Sequence, residues 1–459
     1  MTDQRAAQQS ALAGNLQAVT RIEGKGEPKI GIDEFMSVAE RFGFGPETLA
    51  GIRDVVSREP LDTGPFLANY YANLSQTKVQ AFQELACETF GVRHAIGVSS
   101  GTGALHAAFV AAGVGPGTEV ICPAIGFFAT AAAVVMANGV PVFCDVDASL
   151  SMDPAKIVPL ITDRTVAIAP TCVMGSVPDM DPIMAVARQH GLKVVEDCAQ
   201  SCGGRYRGRY VGTIGDIGCF SISAYKIVGG GEGGLLLTDD ERLWDRANCL
   251  AEGGGLWRPE RFAPPRYDGE LFCGTNYRMS ELEAAVDVVQ LGKMPAVVDR
   301  FRRVKRAITE RLQTYRQVVP QKLNDADGEV GYALRFFPES IELGERLLED
   351  LRARNVGASM RGHGGRPDWH IYHSMFPITL RTGATAASCS FNCAEYRRHA
   401  GERTYERGQC PVADDLFDRM ISIGLNQWYT ETDCANVAAA IDQTLAIHCT
   451  PDAGAPGWR

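Results

Sequence analysis

The chain has 459 residues, long enough for two or three domains that each bury a core of their own. Hydrophobic residues make up 45% and charged residues 22%, a balance that excludes disorder, collagen-like sequence and low complexity over most of the length. The net charge of −10 excludes non-specific nucleic-acid binding, and no apolar run reaches the roughly 18 residues a membrane span needs. The start, MTDQRAAQQSALAG, lacks a charged-then-apolar signal, so a cytoplasmic protein with neither nucleic acid nor membrane as partner is expected.

Residues 1–60 read as an amino-terminal extension: a polar Ala/Gln/Gly-rich arm, then two short helices. The helices are marked by Phe35, Met36, Ala39 and Phe42, and by Leu49, Ile52 and Val56, with a break at Gly45-Pro46. Val79, Phe82, Ala86 and Phe90 predict a further helix. Short apolar runs follow: HAIGV (94–98), EVICP (119–123), VPVFCDV (140–146), VAIAP (166–170), LKVVE (192–196), GCFSI (218–222) and GLLLT (234–238), with helical stretches between several of them. This alternation predicts an α/β fold, a mainly parallel sheet covered by helices, in a large domain spanning 61–298. Ligands of such sheets bind beyond the carboxyl ends of the strands. Residues 278–315 read as helical with an interruption at Pro295, a hinge to a smaller α+β domain at 299–450. The last residues, 451–459, read as a disordered tail.

Fourteen cysteines invite a disulfide or metal framework. Their neighbours are mostly apolar, however, as in EVICPAIG, VPVFCDV and DIGCFSI, which favours buried thiols used as small hydrophobes. The closest pairs, Cys198 with Cys202 and Cys389 with Cys393, have three residues between them instead of the two of common zinc or iron-sulfur spacings. All 14 are expected to be free thiols.

Three segments carry chemistry. Ser99-Ser100-Gly101-Thr102-Gly103 leads into the helical ALHAAFVAAG, so free amides and the positive end of a helix dipole meet at one point. A phosphate site and a merely capped helix both fit. Asp197 ends the apolar run LKVVED. Burial there would call for a cationic partner such as a protonated heteroaromatic nitrogen; the other reading is a surface acid. Lys226 lies between an apolar run and GGGEGG. A lysine partly desolvated in that setting becomes an amine nucleophile, against the bland reading of a solvated surface lysine. Taken together, the three segments supply what pyridoxal 5′-phosphate requires: a phosphate turn, an acid for the ring nitrogen and an amine for the aldehyde.

Over about residues 62–320 and again near 409–447 the chain resembles the DegT/StrS-type aminotransferases of amino-sugar and aminocyclitol biosynthesis, enzymes of the type I pyridoxal-phosphate fold. The resemblance is carried by SSGTGALHAA, CPAIGFFATAAAVV, GVPVFCDVD, VVEDCAQSCGGRYRGRYVGTIGDIGCFSISAYK, GEGG and GTNYRMSELEAAV. It implies that Lys226 binds the cofactor aldehyde and shuttles protons, that Asp197 holds the pyridine nitrogen, and that Gln200 meets the phenolic oxygen while Phe127 stacks on the ring. It implies also that Gly101, Thr102 and Ser221 bind the phosphate, and that Asn276 reaches the phosphate held by a neighbouring subunit of a homodimer. The implied reaction moves an amine from glutamate or glutamine to a keto-sugar or keto-cyclitol. A sugar dehydratase of the same fold, which typically has His where Lys226 stands, and a non-catalytic cofactor-binding regulator are the alternatives.

The sequence also departs from the family pattern. SISAYK replaces a segment usually like SFHPTK, and CVMG at Cys172–Gly175 replaces the common HLYG. A long His/Arg-rich region at 356–408 is added, so the substrate side is where this chain differs. Within that region Arg361 and Arg366 are candidates for a substrate carboxylate or phosphate, and Tyr225 and His370 for other substrate contacts. His363, His370 and His373 have the residue type of zinc ligands, but the chemistry needs no metal and none is expected.

Overall fold

A computed structural model describes residues 28–59, 67, 76–255, 263–361, 367–382, 389–392, 394, 396–397 and 403–458. The chain divides into two compact units, Met1–Ser75 and Gln76–Arg459. In the first, helices Ile32–Glu40 and Pro46–Val56 are separated at Gly45-Pro46, where proline occupies the first turn that tolerates it.

The second unit contains two sheets of more than two strands. The larger comprises β1 (His94–Val98), β2 (Glu119–Pro123), β3 (Val140–Cys144), β4 (Thr165–Ile168), β5 (Lys193–Asp197), β8 (Ile217–Ser221) and β9 (Gly234–Thr238), in the order β1-β9-β8-β5-β4-β2-β3. A separate two-stranded hairpin pairs β6 (Arg205–Tyr206) with β7 (Arg209–Tyr210). Six of the seven large-sheet strands share one direction; β9 alone runs antiparallel to both neighbours. These strands are buried nearly throughout, which is why they read as continuous apolar runs. Phe82, Phe90, Phe220 and Met294 belong to one core cluster of the large domain. Ala104, Ala107, Ala108 and Phe109 belong to a second, where alanines let the helix Gly101–Ala111 sit close to the strands.

Strand register brings the chemical segments together. Gly234 at the start of β9 pairs with Val98 on one side and Ser221 on the other, so the turns after β1 and β8 converge there. Asp197 pairs with Cys219, one strand further along the same edge.

The smaller sheet comprises β10 (Val318–Pro320), β11 (Ala333–Pro338), β12 (Ala358–Met360) and β13 (Ile421–Gly424), in the order β10-β11-β13-β12 and wholly antiparallel. Helices Ile341–Ala353 and Glu431–His448 share a core with it through Leu334, Phe336, Leu347 and Ile441.

Two expectations are corrected. The hinge expected at Pro295 is the interior of one helix, Glu281–Thr309; Leu291, Met294 and Val298 are buried on both sides of the proline, and that packing carries the helix through. The tail expected to be disordered is packed: Trp458 is buried, its ring meets Phe336 edge-on at 5.6 Å and its Nε1 donates to the Gln313 carbonyl at 2.8 Å. Among the described residues no helix is long and apolar enough to cross a membrane.

Candidate active site

The turn after β1 is a capped helix start. Ser100 Oγ accepts from the Gly103 amide at 3.0 Å, which leaves the earlier amides of the turn free to face a ligand. A Cβ on Gly101 would lie 2.7 Å from Ser221 Cβ, and one on Gly234 would lie 2.3 Å from the Ser100 carbonyl oxygen. Only glycine allows these backbones so close, and the closeness sets Ser221 beside the helix start that Thr102 belongs to. The residues present therefore form a cradle of the chemistry a phosphate needs.

Asp197 ends β5 and is 3% exposed. Its carboxylate accepts from Thr130 Oγ1 and from the Ala199 amide at 3.0 Å. Burial pushes its pKa up, while the Thr130 and Ala199 bonds and the positive charge of Lys226 pull it back toward the ionised form. A carboxylate has about four acceptor sites, so two donors leave room for a ring N–H.

Lys226 follows β8 by five residues, its backbone N–H bonded to Ser223 O at 2.9 Å in a turn closed by the Ser223–Gly231 bridge. Partial burial lowers its pKa and the Asp197 charge opposes that shift. The side chain lines a cavity of about 820 Å³ together with Ala199, Gln200, Tyr332, Arg335, Arg361 and His370. Gln200 is held at both ends: Oε1 accepts from the Met174 amide at 2.7 Å and Nε2 lies 3.2 Å from His370 Nε2. The other ring nitrogen of His370 meets Asp368 at 2.7 Å, and Asp368 also accepts from Arg361 Nε at 2.8 Å. Phe127, 41% exposed, has its ring 5.2 Å from that of His370.

Lys226, Gln200, Tyr225, Arg361 and His370 thus share one cavity wall, and Gly101 with Ser221 meets at the neighbouring strand ends. Tyr225 is 99% exposed, so it stands at the rim and is not enclosed. Asn276 is exposed and does not line this chain's cavity; its Oδ1 accepts from the Arg278 amide at 3.2 Å. Arg366 and His363 lie outside the described residues. His370 and His373 do not converge: His373 Nε2 lies 3.5 Å from Asp414 Oδ1, while His370 faces Asp368 and Gln200.

Sequence reading missed Thr130, Tyr332 and Arg335. Arg335 did leave a signal: it is the only charged residue in the run GYALRFF, and a charge inside a buried strand needs a reason. The sulfurs of Cys172 and Cys198 lie 3.8 Å apart with Glu196 nearby. That carboxylate is already held by the amides of Gly212, Ile214 and Gly215 at 2.6–2.8 Å. Cys198 and Cys202 are both free and buried, whereas Cys273 is exposed and does no packing of the site.

Comparison with known proteins identifies the family. Residues 69–362 match the model of the DegT/DnrJ/EryC1/StrS aminotransferase family. The chain is 32% identical over 379 residues to GDP-perosamine synthase of Caulobacter vibrioides, covering 79% of this chain and 89% of that protein. It is 33% identical over 365 residues to L-glutamine:2-deoxy-scyllo-inosose aminotransferase of Streptoalloteichus tenebrarius, with coverage of 78% and 84%. The solved aminotransferase of Psychrobacter cryohalolentis superimposes with a TM-score of 0.66 at 26% identity, covering 81% of this chain and 92% of that one. Its type I fold, its parallel-sheet site and these likenesses together place the chain in the DegT/DnrJ/EryC1/StrS family of pyridoxal-phosphate-dependent aminotransferases.

Proposed function

We propose that this chain transfers an amino group from glutamate or glutamine to a keto-sugar or keto-cyclitol, as a cytoplasmic homodimer. The observation that carries the reading is Lys226: a half-buried amine of lowered proton affinity, facing a cavity and coupled to the buried carboxylate of Asp197. The relatives named for GDP-perosamine and for 2-deoxy-scyllo-inosose support the acceptor class.

Pyridoxal phosphate, when bound, supplies an aldehyde that captures the donor amine and a ring that accepts the electrons released at the donor's α-carbon. Gly101, Thr102 and Ser221 would hold its phosphate through amides and hydroxyls at the helix start. Asp197 would accept the ring N–H and keep that proton in place, its own ionisation favoured by Thr130 and Ala199. Gln200, fixed by Met174 and His370, would orient the ring edge, and Phe127 would cover one face and exclude water. Nζ of Lys226, whose proton affinity burial lowers, would take the α-proton of the donor once released as the free amine. Asn276 of a second copy would complete the phosphate site. We place the reaction in the cytoplasm, where the buried thiols stay reduced.

The test follows the visible absorption of the cofactor-loaded protein. Glutamate or glutamine is expected to bleach it, and a keto-sugar or keto-cyclitol to restore it. Lys226→Ala is expected to lower turnover by at least about 10²-fold. A Lys226→Ala protein with full turnover overturns the reading.

A further inference from the structure

The hydrogen bonds around Gln200 have a direction that one backbone amide fixes. A backbone N–H can only donate, so the Met174 amide, 2.7 Å away, identifies the Gln200 atom facing it as the carbonyl oxygen. The side-chain NH2 then faces the other way, toward His370 Nε2 at 3.2 Å. An amide NH2 donates and does not accept, so His370 Nε2 is the acceptor and carries no proton. The ring proton is on Nδ1, where Asp368 Oδ1 accepts it at 2.7 Å.

Asp368 suits that task as the ionised acid. Burial pushes its pKa up, but the bonds from His370 and from Arg361, whose Nε lies at 2.8 Å, bring it below the usual carboxylate range. The His370 side chain is 16% exposed, and its backbone is pinned to the turn after β2: the Gly126 amide donates to the His370 carbonyl at 2.9 Å, and Ile125 bridges to Ile371. Turning the ring over would break the bonds to both Asp368 and Gln200. Among the described residues, the charged groups around the imidazole are Asp368 and Arg361 of its own segment, with Lys226 and Arg335 on the same cavity wall.

The polarity of this chain decides what Gln200 offers to a cofactor. One N–H of its side chain is engaged by His370, and the other is left to donate. Were the amide reversed, its NH2 would oppose the Met174 N–H, donor against donor. His370, a substrate-contact candidate in the sequence, thus has Nε2 occupied in holding Gln200.

We propose that His370 is a positioning residue: as the Nδ1–H tautomer set by Asp368, it locks Gln200 with one N–H left to donate to the cofactor's phenolic oxygen. This rests on the amine-transfer reading above and on the role given there to Gln200.

Two readouts test it, and neither is turnover. In the apoprotein carrying isotope-labelled histidine, NMR distinguishes the ring tautomers, and His370→Gln identifies the signal that belongs to residue 370. That signal is expected to show a protonated Nδ1 and a bare Nε2; a protonated Nε2 overturns the assignment. In the cofactor-loaded protein the visible band is titrated against pH. A donor to the phenolic oxygen holds the midpoint down, so His370→Leu is expected to raise it by about one pH unit. His370→Gln, whose amide oxygen can accept the same bond, is expected to bring the midpoint most of the way back. In a Gln200→Leu protein, adding His370→Leu should move the midpoint no further, because His370 acts through Gln200. A native midpoint in His370→Leu overturns the proposal, as does an equal shift in both His370 variants or one that persists without Gln200. Should His370→Leu fail to take up cofactor, the tautomer and the His370→Gln midpoint decide. Failure of the amine-transfer reading looks different: the tautomer is as expected, yet no amino acid bleaches the native protein.

Discussion

Thr130 opposes the effect of burial on the acid at the centre of the site. Its hydroxyl donates to Asp197, a bond that favours the ionised carboxylate, while burial favours the neutral acid. Removing the hydroxyl leaves burial less opposed and raises the Asp197 pKa. On the proposed role of Asp197, activity needs the anion and is lost as pH falls through that pKa, so Thr130→Val is expected to move the acid limb of the kcat/KM profile to higher pH. Thr130→Ser keeps the donor and should leave the limb in place. A pH series on the two variants checks both statements, and identical acid limbs would show that the Thr130 bond is not what tunes the acid.

At the level of elements, the meeting of the Gly101 helix with β8 and β9 depends on missing side chains. Gly101→Val places carbon within 2.7 Å of Ser221, so the helix start must retreat from the strand end. Cofactor affinity, read by equilibrium dialysis, is expected to fall at least about tenfold, a loss of roughly 1.4 kcal/mol. Gly115→Ala, with nothing within 4 Å of the added carbon, should bind as the native protein does. The carboxyl tail makes a second case. Trp458 fills the small-sheet core against Phe336, and Trp458→Ala is expected to cost about 3–5 kcal/mol, visible as a lowered melting temperature.

These elements also show what could be read from sequence. The strand runs were legible to within a residue or two because a strand buried on both faces has to be apolar throughout. The direction of β9 was not, since GLLLT has the same pattern whichever way it runs. Lys226 and Asp197 were legible as charges at the ends of such runs. The tail was misread because its Pro/Gly composition resembles a loop, and one packed indole decides otherwise. Arg335 was passed over although its strand announced it.

For the whole molecule, the exposed position of Asn276 bears on assembly. Five residues beyond it the helix Glu281–Thr309 begins, and Leu282, Val286 and Val289 lie exposed along it at helical spacing. A row of apolar side chains open to water is the character of a surface that another chain covers, and the proposed homodimer requires that each Asn276 reach the other chain's site. If each site takes Lys226 from one chain and Asn276 from the other, two inactive variants should rescue one another. In a mixed dimer of Lys226→Ala and Asn276→Ala chains, one site loses both residues and the other keeps both. Random reassortment makes half the dimers mixed, each with one intact site, so activity should recover to about a quarter of native. The measurement is turnover after the separately inactive proteins are unfolded together and refolded, with each refolded alone as the control. Recovery to no more than the sum of the controls would place Asn276 outside the partner's site.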